Sequence, residues 1–179
     1  MTTATKTLWE IDPGHSEVQF KAKHLVISTV TGSFHSYNGT IETDGDNFEN
    51  AKATFTADID SISTKNEDRD QHLKSDDFFN AKEYPQLKFE STNFKKVGDQ
   101  SYKVTGDITI RDVTKEIELD VVHGGTVGDP YGQTKAGFEV TGSINRKEFN
   151  LTWNAVTEAG NVVVGDKIKL QLNVQFIKN

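Results

Sequence analysis

Cysteine is absent from the 179-residue chain. That removes disulfides, thiolate nucleophiles, cysteine-type zinc sites and iron–sulfur clusters in one step. Methionine occurs once, proline three times and leucine only eight times, so the usual helix formers are scarce. Long apolar runs are missing too. Three-residue stretches such as Leu25-Val26-Ile27 and Val162-Val163-Val164 are the longest aliphatic ones, and no transmembrane helix can be built from them. Met1 to Glu10 holds no apolar signal-peptide core. A cytoplasmic location is therefore expected for this sequence, or a periplasmic one if a leader has been trimmed. Basic side chains are outnumbered, 20 against 27 acidic, for a formal net charge of −7. With no basic tail to offset that charge, no nucleic-acid partner is expected.

What the chain does contain is β-branched: 15 Val, 11 Ile and 20 Thr, stiff side chains that pack well on a pleated sheet. Leu, Ile, Val and Phe together make about a quarter of the residues, enough for one folded core, so a single mostly β domain over 1–179 is expected. Eight runs alternate apolar and polar residues. They are Ser16–Lys23, Thr31–Glu42, Ala51–Ser61, Gln86–Lys95, Ser101–Arg111, Lys115–His123, Gln133–Ile144 and Asp166–Ile177. In Asp166–Ile177, for example, Ile168, Leu170, Leu172, Val174 and Phe176 share one face. Such alternation predicts antiparallel strands with one dry and one wet side. Turn residues separate most of the runs: Asp44-Gly45-Asp46, Gly98-Asp99, Arg111-Asp112, Gly124-Gly125, Gly128-Asp129-Pro130 and Gly165-Asp166. Asn38-Gly39 is read as a bulge inside one long strand, accounting for the slip of phase between Phe34 and Tyr37.

Two gaps interrupt the meander. Ile62–Pro85 reads as helical, with Thr64 and Glu67 as a capping box, Ser75 as a second cap, and Phe78-Phe79 presented on a short turn. Asn145–Gly165, with Phe149, Leu151 and Trp153 in alternation, reads as a short extra strand or an ordered loop. The pattern predicts an eight-stranded antiparallel up-and-down barrel with a helical insertion between strands three and four, closure removing the exposed edges. A two-sheet sandwich is the competing arrangement. Small inward residues (Ala22, Ala53, Ala57, Gly106, Ala136, Gly142) beside large ones (Phe20, Phe55, Phe89, Phe138) fit either a tapered filled core or a lumen with room for an apolar guest.

Ordered motifs run through the chain: Trp9-Glu10-Ile11-Asp12, His15-Ser16, His24-Leu25, Gly32-Ser33-Phe34, Arg69-Asp70-Gln71-His72-Leu73, Asp77-Phe78-Phe79, Tyr84-Pro85, Phe89-Glu90-Ser91-Thr92, Ile108-Thr109-Ile110-Arg111, Gly137-Phe138 and Asn145-Arg146. In this order, from Trp9 to Phe176 within a domain core of 9–177, the chain closely resembles the YceI-like family, the lipocalin-like polyisoprenoid-binding proteins. The resemblance implies an eight-stranded barrel that binds a long isoprenoid or similar amphiphile in its lumen. The chain departs from the family pattern where Asp112 and Asn150 stand in place of glycine. Asp and Asn tolerate the left-handed region better than other side chains, so those turns are expected to survive. Many members carry a secretory leader, which this sequence does not show.

Asp12, His15 and Ser16 invite a catalytic-triad reading, but local spacing does not bring nucleophile, base and orienter together. His24, His35, His72 and His123 lie singly on different elements, without metal-ligand spacing. Arg69-Asp70 with His72 reads either as a helix anchored to the barrel by ion pairs and hydrogen bonds or as Arg69 or His72 holding a ligand headgroup at the barrel mouth, and Arg146 as a candidate for either that headgroup role or an internal ion pair. The leading expectation is a binding or carrier protein without turnover. Its site comprises Phe20, Ala22, Phe34, Phe55, Ala57, Arg69, His72, Phe78, Phe89, Val104, Gly106, Ile108, Leu119, Val121, Phe138, Leu170 and Leu172. It needs no cofactor or metal; its partner is a small lipid, and a homodimer is compatible with the sequence. An enzyme acting on a lipid-like substrate and a filled barrel serving as an interaction module are the alternatives.

Overall fold

The computed structural model describes residues 5–155 and 163–179. Eleven strand segments form one antiparallel sheet: β1 (Lys6–Ile11), β2 (Glu17–His24), β3 (Ser28–Phe34), β4 (Tyr37–Asp44), β5 (Asn47–Asp58), β6 (Ile62–Ser63), β7 (Gln86–Lys96), β8 (Ser101–Ile110), β9 (Val113–Gly128), β10 (Thr134–Asn145) and β11 (Val164–Lys178). The order is β1-β4-β5-β7-β8-β9-β10-β11, and β1 pairs back on β11, closing an eight-stranded barrel. The paired segments β2 and β3 extend it, with β2 lying against the first half of β11 and β3 against β6. One α-helix, α1 (Glu67–Lys74), lies among the described residues.

The all-β barrel follows the alternation, and several local expectations are corrected. The helix comes after β6 rather than between a third and a fourth strand, because the early strands are broken into segments. β1 was hidden: Thr7, Trp9 and Ile11 face inward, but half-exposed Leu8 blurs the alternation. Thr31–Glu42 is not one bulged strand. It breaks at His35-Ser36, and Asn38-Gly39 lies inside β4. Gly124-Gly125 is no turn either. β9 runs on to Gly128, with a bulge where Gly137 pairs with Gly125 but Phe138 with His123. Gly165-Asp166 likewise lies within β11, not before it.

Helix capping also differs from the expected box. Asn66, not Thr64, is the N-cap, accepting from the Arg69 N–H. Thr64 is instead held by Asp70, which accepts from both its N–H and its hydroxyl. Ser75 closes the helix C-terminus, its N–H donating to the His72 carbonyl. Among the turns that lack glycine, Asn150 does take the left-handed region, at φ 62, whereas in the β8–β9 turn it is Arg111, at φ 55, rather than Asp112.

One end of the barrel is shut by aromatic side chains. Trp9 is fully buried, its ring centroid 5.1 Å from Phe48, and its indole N–H donates to the Thr43 hydroxyl. Phe48 meets Phe138 edge-on at 5.0 Å, and Phe138 meets Phe176. His123 stacks on Phe138, and burial lowers its pKa, so it serves the plug as a neutral ring. At the other end, a second apolar cluster gathers Phe78 with Ile108, Ile110, Ile144, Phe149 and Leu151.

Two glycines on the inner wall test how tightly the barrel closes. A Cβ on Gly106 would stand 2.5 Å from the Glu90 carbonyl oxygen, a backbone atom fixed in the β7–β8 ladder next to a register shift. A Cβ on Gly142 would meet only the Leu119 side-chain end at similar distance, which can rotate aside. Gly106→Ala is expected to cost about 2–3 kcal/mol and Gly142→Ala under about 1 kcal/mol. Urea titration of the two variants checks the difference.

Candidate functional site

Between the aromatic plug and the second cluster lies a cavity of about 240 Å³. A water takes about 30 Å³ in the liquid, so the space equals roughly eight waters, a little below the usual size of small-molecule sites. The wall is almost wholly apolar because each stave turns its dry face inward. Phe20 and Ala22 come from β2, Phe34 from β3, Phe55 from β5, Phe89 from β7, Val104 and Ile108 from β8, Leu119 and Val121 from β9, Phe138 from β10, and Leu170 and Leu172 from β11. Phe78 is added from the segment after α1.

Four candidates do not line this cavity. Ala57 is fully buried opposite Tyr37 in the β4–β5 ladder. Gly106 is covered by the Phe89 ring. The Arg69 guanidinium turns back on its own helix entry, donating to the hydroxyl and carbonyl of Thr64. His72 Nε2 lies 2.8 Å from an Asp77 carboxylate oxygen, its ring edge-on to Phe78 and Trp153. Sequence reasoning passed over Leu73 on α1 and Leu151, both on the wall. Leu73 belongs to no period-2 run, and the alternation of Leu151 with Phe149 and Trp153 lies in a gap outside the eight predicted strands, so neither was assigned to the wall.

The segment from α1 to Asn80 forms a lid. Arg111, in the β8–β9 turn, donates to the carbonyls of Asp76, Phe78 and Asn150 and pairs with the Asp76 carboxylate at 3.0 Å. This pins Phe78 and Phe79, both cavity-lining, over the opening. Arg146 holds the neighbouring loop. It is 2% exposed, and its guanidinium donates to the carbonyls of Leu151, Trp153, Val164 and Gly165, with the Asp166 carboxylate 3.7 Å away. Its place on the wall is therefore one of structure, with its charge spent on backbone. Residues 151–155 form no strand; the rest of the gap expected to be strand or loop, 156–162, lies outside the described residues.

Asp12, His15 and Ser16 do not assemble a triad. His15 Nδ1 is 2.7 Å from Asp12 Oδ2, but the Ser16 hydroxyl donates to the Asp12 carbonyl and accepts from the Gln175 N–H. The cluster ties the β1–β2 corner to β11. The His15 hydrogen bond, the Gly14 N–H and nearby Lys135 hold the Asp12 carboxyl below its usual pKa. A depressed carboxylate stabilises the fold above its unfolded pKa near 4 and loses that contribution as pH falls through the folded value. Asp12→Asn is therefore expected to flatten the stability–pH curve below about pH 4, a difference that urea midpoints from pH 2 to 7 would reveal. Among the described residues, no group of three His, Asp or Glu side chains converges as a metal site would require.

A YceI-like domain model matches residues 9–176. A UPF0312 protein of Staphylococcus aureus strain N315 is 39% identical over 171 residues, 95% of this chain and 97% of the relative. Among solved structures, a YceI protein of Campylobacter jejuni is 37% identical with a TM-score of 0.73, covering 86% of this chain and 87% of its own. BcnA of Burkholderia cenocepacia reaches a TM-score of 0.80 at 21% identity, covering 92% and 98%. A polyisoprenoid-binding domain from Saccharophagus degradans reaches 0.69 at 15% identity, covering 94% and 97%. The last two share the fold.

Proposed function

Since the chain belongs to the YceI-like family, we propose that it is a non-catalytic carrier that encloses a long-chain isoprenoid or similar amphiphile in its barrel. The observation that carries this reading is the apolar cavity, plugged by aromatics at one end and lidded at the other. A solved domain of the same fold that is described as polyisoprenoid-binding agrees with it. A filled barrel would leave no such space. The driving force is removal of hydrocarbon from water, about 0.8 kcal/mol per methylene before the entropy of immobilising guest and lid is subtracted. Arg146, the one charged group on the wall among the described residues, is already satisfied by carbonyls, so the lumen selects apolar tails. The polar head would rest against the lid, where His72 packs on Phe78.

Native mass spectrometry of delipidated protein titrated with isoprenoid alcohols of increasing length tests the reading. The expected result is a 1:1 complex from which the guest is recovered unchanged. Absence of any complex at saturating guest would overturn the carrier reading; recovery of a chemically altered guest would favour an enzyme.

A further inference from the structure

The β2–β3 hairpin ends in three aliphatic residues where polar or glycine residues usually stand. Val26 is 62% and Ile27 85% exposed. Leu25 and Val26 both take positive φ, 53 and 68, a region that side chains such as these rarely adopt. An apolar sequence is thus held in water, and in strain, at a tip that Asn-Gly would form with less cost. The tip lies beside the lidded end: Leu25 N–H donates to the Val163 carbonyl, on the connection that Arg146 also holds.

A basic face begins directly behind this tip. Lys21 and Lys23 alternate with inward Phe20 and Ala22, and Lys167 and Lys169 with inward Ile168 and Leu170, so all four ammonium groups stand on the outer wall. Lys21 and Lys169 are directly paired across the β2–β11 ladder, an arrangement of like charges that costs stability. Their flanking partners are uncharged: Thr29 and Thr31 on β3, Ser143 and Asn145 on β10. Among the described residues none of the four has an ion pair. The nearby Asp166 is engaged by Lys147 at 3.5 Å. In a chain of net charge −7, this concentration of one sign points to an anionic partner.

We infer that the Leu25-Val26-Ile27 tip and the lysine face behind it form a docking surface for an anionic lipid bilayer, orienting the lidded mouth toward the membrane. Exposed aliphatic side chains enter the interfacial region, and the lysines meet the phosphates. The docking is a property of the outer surface and stands independently of what the lumen holds.

The test is co-sedimentation of the full chain with vesicles of phosphatidylcholine alone or mixed equally with phosphatidylglycerol. Binding is expected to the mixed vesicles, weakened by salt, and not to phosphatidylcholine alone. Lys21→Gln/Lys167→Gln/Lys169→Gln is expected to weaken it by about 100-fold, at roughly fivefold per lysine. Leu25→Asn/Val26→Gly/Ile27→Ser is expected to weaken it by more than about tenfold while keeping or raising the melting temperature, which shows that the loss is not unfolding. Wild-type protein left in the supernatant, or variants that sediment as it does, would overturn the docking surface. So would a tip variant whose effect is on oligomeric state by light scattering rather than on vesicle binding. Parallel titration of each variant with isoprenoid alcohol separates the two readings, since lumen binding is expected to survive both sets of substitutions.

Discussion

Ala22→Phe is expected to weaken guest binding by more than about 100-fold while leaving stability within about 1 kcal/mol of the parent. Ala22 sits on the inner face of β2, paired with Ile168 and Val30, and lines the cavity. Only a methyl group projects there, so the added ring enters open space rather than packed atoms. The ring's carbons occupy positions the guest would fill. At about 0.8 kcal/mol per methylene displaced, the forfeited energy reaches several kcal/mol, of which a 100-fold loss uses about 2.7. In a barrel already filled, the same substitution would overpack the core and cost about 1–3 kcal/mol. Isothermal titration with an isoprenoid alcohol, beside urea denaturation, reads both quantities. Lost stability with unchanged binding would show that the space at Ala22 is not the guest's.

The barrel was legible in the chain because each stave separates a dry side from a wet one, and a period of two survives single exceptions. Eleven of the thirteen wall residues follow from that phase; Phe34 falls at a slip of phase and Phe78 lies on the segment after α1. Gly106 and Ala57 share the inward phase yet miss the cavity, because inward is not the same as lining: the Phe89 ring lies over Gly106, and Ala57 is sealed opposite Tyr37. Phase assigns a side of the sheet, whereas the radius of the lumen at each level depends on which neighbours fold across it. Arg69 and His72 were drawn to the mouth by their position on the lid helix. Their polar atoms are taken by Thr64 and Asp77, partners only a few residues away whose competition a spacing argument does not weigh. The same competition displaced the helix cap, since Asp70 claims Thr64 and leaves the N-terminus to Asn66.

Arg146 is where local sequence is least informative, because all of its hydrogen-bond acceptors are backbone carbonyls and those residues carry no sign of the role. Arg146→Met keeps much of the side chain's length and apolar stem but removes every donor. The carbonyls of Leu151, Trp153 and Gly165 then lose these bonds inside the protein, while Val164 keeps the Asn154 amide. Leaving buried acceptors unpaired costs about 1–3 kcal/mol apiece before relaxation, so a net loss of about 3–5 kcal/mol is expected, near 10 °C in melting temperature for a chain of this size. Arg146→Lys retains the charge but not the planar fork that reaches several carbonyls at once, and should recover only a minor part. Hydrogen exchange discriminates how the energy is distributed. If the guanidinium chiefly holds the β10–β11 connection, amide protection falls first at Leu151 and Val163–Gly165, next to the Leu25 tip and the lid. Protection in the β8–β9 ladder is then retained until global unfolding. A melting temperature within about 2 °C of the parent would mean that water replaces the guanidinium at little cost, and that the loop is not what this arginine secures.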